Sequence, residues 1–250
     1  MEQNMTALVS LFARAYHQKN KNIKIFDDPL STKLITKKEY EMIRLSMSQG
    51  ISFFNPNFKG SKEEALKWIV DHQLSPSVLV RSAFCKEAIE DKRQRCKDVD
   101  IENIQFLSID LSQENWINTL LQGDYQEDQL SISSMLGLSY YLTKDEFKKM
   151  LKQLSKYLLK GSRLVFDYPS IQESKETKIN EMLAKEADES MKAKYSFAEL
   201  KEILNQCHLT IIQHENHQTV TEKYISNYNV YYKDDPIKAP EGVCYCVVEK

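Results

Sequence analysis

The chain has 250 residues with 34 basic and 36 acidic side chains, a net charge of −2, 42% apolar residues and 28% charged ones. Those proportions are ordinary for a folded protein and exclude a disordered polar chain, a collagen-like repeat and a pure coiled coil. The balanced charge leaves no basic stripe for phosphate backbones, so nucleic acid is not an expected partner. Apolar runs such as Leu164-Val165-Phe166 fall far short of the ~20 residues a membrane helix needs. The opening Met1-Glu2-Gln3-Asn4 lacks the basic start of a secretory signal, so a cytoplasmic protein with no membrane segment is expected. Five cysteines form no disulfide framework. Cys244 and Cys246 share one face of an apolar alternation, where buried reduced thiols are expected rather than metal ligands.

In chain order, Leu8, Leu11, Phe12 and Ala15 recur at helical spacing within Thr6–His17, and Thr6 is placed to cap that helix. Asp27-Asp28-Pro29-Leu30 starts another helix, with Pro29 where its missing N–H costs nothing. Ser61 and Glu64 have the spacing of a capping box ahead of a helix through Trp68 to about His72. Ser75-Pro76 restarts the chain as a helix carrying Val78, Leu79, Arg81, Ala83 and Ala88. The first third is therefore helical.

The rhythm then changes. Ile104 to Asp110 reads as a strand ending in an acid, followed by a helix around Trp116–Leu121. Leu130 to Leu136 is a second strand, Thr143 to Leu159 an amphipathic helix stopped by Gly161-Ser162, and Arg163 to Asp167 a third strand. A charged helix is expected within 171–194. Ser196–Gln206 is the next helix, Leu209–Gln213 the next strand, and Val243–Val248 the last. This alternation predicts an α/β fold, a mainly parallel sheet with helices on both faces, and a ligand site beyond the carboxyl ends of its strands. One domain over 1–250 is expected, with a helical part over 1–91 and an α/β part over 92–250.

Asp110 and Asp167 close strands, where an acid either accepts from a nucleotide's amino or hydroxyl groups or caps a helix. The most distinctive stretch is Ser134 to Thr143: a buried strand runs into Gly137, then Tyr140, Tyr141 and a helix-capping Thr143. The two tyrosines either pack or line a pocket. His208, His214 and His217 lie near a strand end rather than on one helix face, so no metal site is expected. Neither a Gly-x-Ser-x-Gly elbow nor a Walker lysine loop occurs.

Together, Thr6-Ala7-Leu8 through Ala15, Val80-Arg81-Ser82-Ala83-Phe84, Ile109-Asp110-Leu111, Leu136 to Thr143 and Gly161 to Tyr168 resemble, in order and spacing, the leucine carboxyl methyltransferase family over nearly the whole chain. The resemblance implies a Rossmann-like class I methyltransferase sheet and S-adenosylmethionine as cofactor. It also implies O-methyl transfer to a small-molecule or protein carboxylate, or a non-catalytic descendant serving as a binding module. Arg81 would hold the methionine carboxylate, a task suited to a planar guanidinium. Asp110 and Leu111 would flank the adenine, and Tyr140 and Tyr141 would line the substrate pocket. No catalytic residue is assigned, since a carboxylate acceptor is already a nucleophile.

One departure stands out. The family's first strand, its glycine-rich turn and a second strand ending in a ribose-binding acid have no counterpart here. The six glycines are Gly50, Gly60, Gly123, Gly137, Gly161 and Gly242, so no Gly-x-Gly turn exists. A unit of about 30 or more residues, the size of a βαβ, is missing near Glu90-Asp91-Lys92. Weak or lost cofactor binding follows, and the 104–109 strand should pair directly with Ser131–Met135 so that no backbone group is left unpaired.

Overall fold

The N-terminal helix α1 (Met5–Asn20) buries Leu8, Phe12 and Ala15, the stripe its spacing predicts. Structure comes from a computed structural model that describes residues 5–95, 107, 109–111, 113, 115–172, 174, 177–179, 181–182 and 190–250. The chain divides into two compact units. A helical unit comprises Met1–Phe84, Glu173–Glu189 and His217–Glu241; an α/β unit comprises Cys85–Gln172, Ser190–Asn216 and Gly242–Lys250. Sequence gives no reason to set 217–241 apart from the α/β part.

In the helical unit, α2 (Ser31–Leu34) begins two residues later than Pro29 suggests. Asp28 sets its start, because its carboxylate accepts the Ser31 N–H at 3.3 Å while its carbonyl accepts the Ser31 hydroxyl at 2.7 Å. Helices α3 (Lys37–Gln49) and α5 (Lys62–Ile69), separated by the short α4 (Ile51–Phe54), open on capping boxes, Thr36/Glu39 and Ser61/Glu64. Each box satisfies two amide donors that a helix start otherwise leaves free.

The chain does not restart at Ser75-Pro76. A wide π-turn over Val70–Leu74 joins α5 to α6 (Ser75–Arg95), and the Ser75 N–H reaches back to the Val70 carbonyl. Proline inside a helix clashes with the carbonyl four residues earlier, and a widened turn relieves that clash. A second π-turn, Thr221–Ile225, lies between α10 (His217–Val220) and α11 (Ser226–Tyr231); α7–α9 belong to the other unit. At the unit's centre, Lys21 donates to Asp71 at 2.6 Å, both nearly solvent-free, and Lys67 reaches the same oxygen at 3.1 Å.

His17 is buried against Tyr228, its ring centroid 5.8 Å away, and its Nε2 accepts the Ile25 N–H at 3.1 Å. That bond requires an unprotonated Nε2. Burial first, then Lys21 and Lys24, lowers its pKa from 6.5 to about 4. The unfolded chain therefore binds this proton at higher pH than the folded one. Stability is complete above pH 6.5 and falls as pH drops towards 4, by about 2–3 kcal/mol. Urea unfolding of the helical unit, followed by circular dichroism between pH 7 and 4.5, checks this. His17→Gln, which can still accept the Ile25 N–H, should flatten the slope; an unchanged slope would assign it to other groups.

The α/β unit contains α7 (Trp116–Gln122), β1 (Ile132–Met135), α8 (Lys144–Tyr157), β2 (Arg163–Pro169), α9 (Phe197–Gln206), β3 (Thr210–Glu215) and β4 (Val243–Glu249). The sheet order is β1-β2-β4-β3. Among the described strands only β1 and β2 pair in parallel, in register from Ile132/Arg163 to Met135/Phe166; β4 runs antiparallel to both β2 and β3. The expected mainly parallel sheet is thus corrected among the described residues. Continuous apolar runs report burial on both faces and carry no information on strand direction. All seven residues of β2 are buried, so the sheet is covered on both faces there.

Phe147, Met150, Leu151 and Leu154 of α8, with Leu200 and Leu204 of α9, pack on Leu164, Phe166 and Tyr168 of β2. Thr143 and Ser196 cap these helices through boxes with Glu146 and Glu199. Cys244 and Cys246 lie in the same core on one strand face, and Cys85 and Cys207 are also buried; all four are free thiols. Burial pushes Cys246 up to about 12 and raises Cys244, which keeps both protonated and unreactive. The expected 104–110 strand and its pairing to β1 lie mostly outside the described residues; Leu107, Ile109 and Asp110 belong to no strand. Residues 183–189 of the expected charged helix also lie outside, and Ser190–Lys194 is not helical. No described helix is long and apolar enough to cross a membrane.

Candidate functional site at the carboxyl ends of the parallel strands

β1 and β2 end side by side, where parallel sheets place their ligands. Past β1 the backbone turns at Gly137, whose φ of 71° is the left-handed region that side chains resist. Its N–H donates to Asp167 Oδ1 at 2.6 Å, and the Tyr140 hydroxyl donates to Asp167 Oδ2 at 2.9 Å. The Ser139 hydroxyl donates to the Asp167 carbonyl at 2.6 Å. Asp167 is completely buried. Asp167 does not cap a helix as expected; it closes the 136–141 loop onto the end of β2 instead.

The loop's other side is held by the segment after residue 190. The Lys192 N–H donates to the Tyr140 carbonyl at 2.8 Å, and the Tyr195 N–H donates to the Pro169 carbonyl at 2.9 Å. The Lys192 ammonium stands 3.9 Å from Glu146. The Glu146 carboxyl is held below its usual range, first by the Thr143 backbone N–H and hydroxyl and further by Lys192, with the nearby Asp110 charge opposing. Asp110, Glu146 and Lys192 therefore gather beside the turn that carries Tyr140 and Tyr141.

Each expected site residue has a definite place. Asp110 is exposed and starts a turn, its carbonyl accepting the Gln113 N–H at 3.2 Å and its carboxylate the Gln113 amide at 3.3 Å. Leu111 is half-buried and packs on the core of the α/β unit. Tyr140 is buried with its hydroxyl on Asp167, while Tyr141 is half-buried with its ring 6.5 Å from that of Tyr140. Arg81 lies half-buried on α6 between the buried Val80 and Phe84, in the helical unit. The sequence alone does not mark Ser139 or Lys192. A serine inside a glycine-tyrosine turn is the available signal for the first, and nothing local marks the second.

Gly137→Ala should cost about 1–2 kcal/mol, the penalty for a side chain in the left-handed region. The urea midpoint of the α/β unit measures it; an unchanged midpoint would mean that the turn relaxes to another geometry.

Comparison with known proteins adds an independent line. The sequence model of the leucine carboxyl methyltransferase family matches residues 7–99 and 89–155. The two pieces overlap at 89–99, around the Glu90-Asp91-Lys92 junction. A relative from Bacillus subtilis (strain 168), YktD, provisionally named an S-adenosyl-L-methionine-dependent methyltransferase, is 25% identical over 300 residues, covering 98% of this chain and 97% of the relative. An alignment of 300 positions onto 250 residues leaves at least 50 positions of YktD facing no residue here. Among solved structures, a DUF574 family protein from Streptomyces avermitilis is similar with a TM-score of 0.48 and 11% identity, covering 96% of this chain and 97% of that one. With its family model matched over more than half its length, the chain belongs to the leucine carboxyl methyltransferase family.

Proposed function

We propose that this chain is an S-adenosylmethionine-dependent methyltransferase, acting on an oxygen acceptor, whose hold on the cofactor is weak. The observation that carries the reading is the two-piece family match meeting at 89–99, with at least 50 positions of YktD unmatched. The name of that relative supports the choice of cofactor.

The residues present fit the cofactor in part. An exposed Asp110 carboxylate next to the half-buried Leu111 suits the amino edge and the face of an adenine, and a half-buried guanidinium at Arg81 suits a carboxylate. Among the described residues no acid is placed for the ribose. Asp167, near the end of β2, is committed to Gly137 and Tyr140 and cannot take that role. When bound, the cofactor supplies an electrophilic methyl group on a sulfonium. The protein's part is then to bind, orient and exclude water, and a carboxylate acceptor is the simplest case because it arrives ionised.

Calorimetric titration of Arg81→Ala beside the unaltered chain tests the assignment. Losing a charged hydrogen bond worth about 1.5–3 kcal/mol should weaken S-adenosylmethionine binding roughly tenfold or more. Equal affinities would remove Arg81 from the site. The same missing segment favours a second reading, a binding protein without catalysis. Transfer of labelled methyl to any oxygen acceptor in a panel decides against that one.

A further inference from the structure

The helical unit contains a cavity of about 560 Å³ that the sheet-end site does not use. Its volume is that of a pocket for a small organic molecule. One wall carries Phe54, Trp68 and His72, with the indole and imidazole rings 5.1 Å apart and inclined by 31°. The stretch Pro236 to Pro240 also lines the cavity.

Both walls are fixed in place. His72 sits in the π-turn that Pro76 imposes, and widened turns recur where a helix must present a functional side chain. The Pro236–Pro240 wall is pinned by side chains behind it. Asn229 bonds both backbone groups of Ile237, at 2.8 and 2.9 Å, and the Thr221 hydroxyl accepts the Ala239 N–H at 2.8 Å. A pocket so held needs little ordering when a ligand enters.

The polar group at this cavity is specific. His72 Nε2 lies 2.9 Å from Asp235 Oδ1, a pair brought together across 163 residues of sequence. An ionised carboxylate only accepts, so Nε2 carries the hydrogen, and in the neutral tautomer Nδ1 is an acceptor. Among the described residues, Nδ1 meets no hydrogen-bond partner. The cations near the cavity are already matched: Lys67 with Asp235 and Asp71, at 2.6 and 3.1 Å, and Lys238 with Glu241 at 2.7 Å. With His72 in that tautomer, a carboxylate ligand would find no unmatched lysine or arginine among the described residues lining the cavity, whereas a neutral ring bearing a hydroxyl would find flat apolar walls and one hydrogen-bond acceptor.

We propose that this cavity binds a small aromatic hydroxyl compound, a phenol or enol, whose hydroxyl hydrogen is received by His72 Nδ1 with Asp235 fixing the ring. The proposal deepens the methyltransferase reading by naming an acceptor class that, unlike a carboxylate, must lose a proton before its oxygen can attack. It rests on that reading only for the fate of the bound molecule. Pro76 at the cavity and Arg81 lie on the same helix, about 8 Å apart along its axis at 1.5 Å per residue.

The test uses 4-nitrophenol as the probe, without cofactor, because its phenolate absorbs at a longer wavelength than the phenol. Binding to the full chain should quench Trp68 fluorescence and, at a pH where the free probe is protonated, bring up the phenolate band. 4-Nitrobenzoate should bind at least tenfold more weakly. His72→Gln should remove the phenolate band while leaving residual binding, and Asp235→Asn, at a half-exposed position, should diminish the band with the fold intact. No binding, tighter binding of the benzoate, or a band that survives both substitutions would overturn the proposal. Since no methyl transfer is measured, a chain that fails to methylate but binds the phenol refutes the methyltransferase reading alone.

Discussion

Restoring a strand, a glycine-rich turn and an acid-ended strand from a relative between Asp91 and Lys92 should tighten S-adenosylmethionine binding by at least a hundredfold. The glycine turn would let backbone amides approach the cofactor, and the acid would bind its ribose hydroxyls. Two such polar anchors at about 1–3 kcal/mol each give roughly 2–6 kcal/mol, so a hundredfold gain sits in the lower half of the range. In the present chain α6 runs unbroken from Ser75 to Arg95, through the junction itself. The insert must therefore end that helix after Asp91 before the first new strand begins. A glycine-serine insert of equal length is the control: it breaks the helix equally but supplies no anchor, and should gain nothing. Equal improvement by both would place the cause in the helix rather than in the missing contacts.

Asp167→Ala should destabilise the α/β unit by about 3 kcal/mol or more. The side chain is completely buried and satisfies the Gly137 N–H and the Tyr140 hydroxyl, both of which would be left in the core without an acceptor. Each buried donor so orphaned costs about 1–3 kcal/mol. Tyr140→Phe removes one donor together with its need for an acceptor, and should cost only about 1 kcal/mol. In the double variant the two effects should fall short of their sum, because the hydroxyl that Asp167→Ala orphans is no longer there. Urea unfolding of the three variants measures the cycle. Strict additivity would mean that Asp167 and Tyr140 do not act on each other.

The features legible in the sequence are those written in neighbouring residues. Ser61/Glu64 formed the capping box its spacing announced, Thr143 and Ser196 opened the helices expected to follow them, and the apolar stripe of α8 is buried as its period requires. What the sequence hid depends on residues far apart. Nothing in Val243–Val248 says that β4 inserts antiparallel between β2 and β3, since a strand buried at nearly every position reads the same in either direction. The π-turn at 70–74 needed the clash of Pro76 to be weighed against the strong helical signal on both sides. His72 and Asp235 carry no shared motif, being 163 residues apart. Asp167 was legible as a strand-end acid, yet its commitment to Gly137 and Tyr140 appears only when the turn after β1 folds back over β2. The missing segment was legible because an absent Gly-x-Gly is a statement about sequence alone.

A reduced grip on the cofactor is tested most directly by one titration. S-adenosylmethionine added to the unaltered chain in a calorimeter should show a dissociation constant of about a millimolar or weaker, the affinity left when two anchors are removed from a micromolar site. A constant in the low micromolar range would contradict it, and would mean that other residues of this chain replace the glycine turn and the ribose acid.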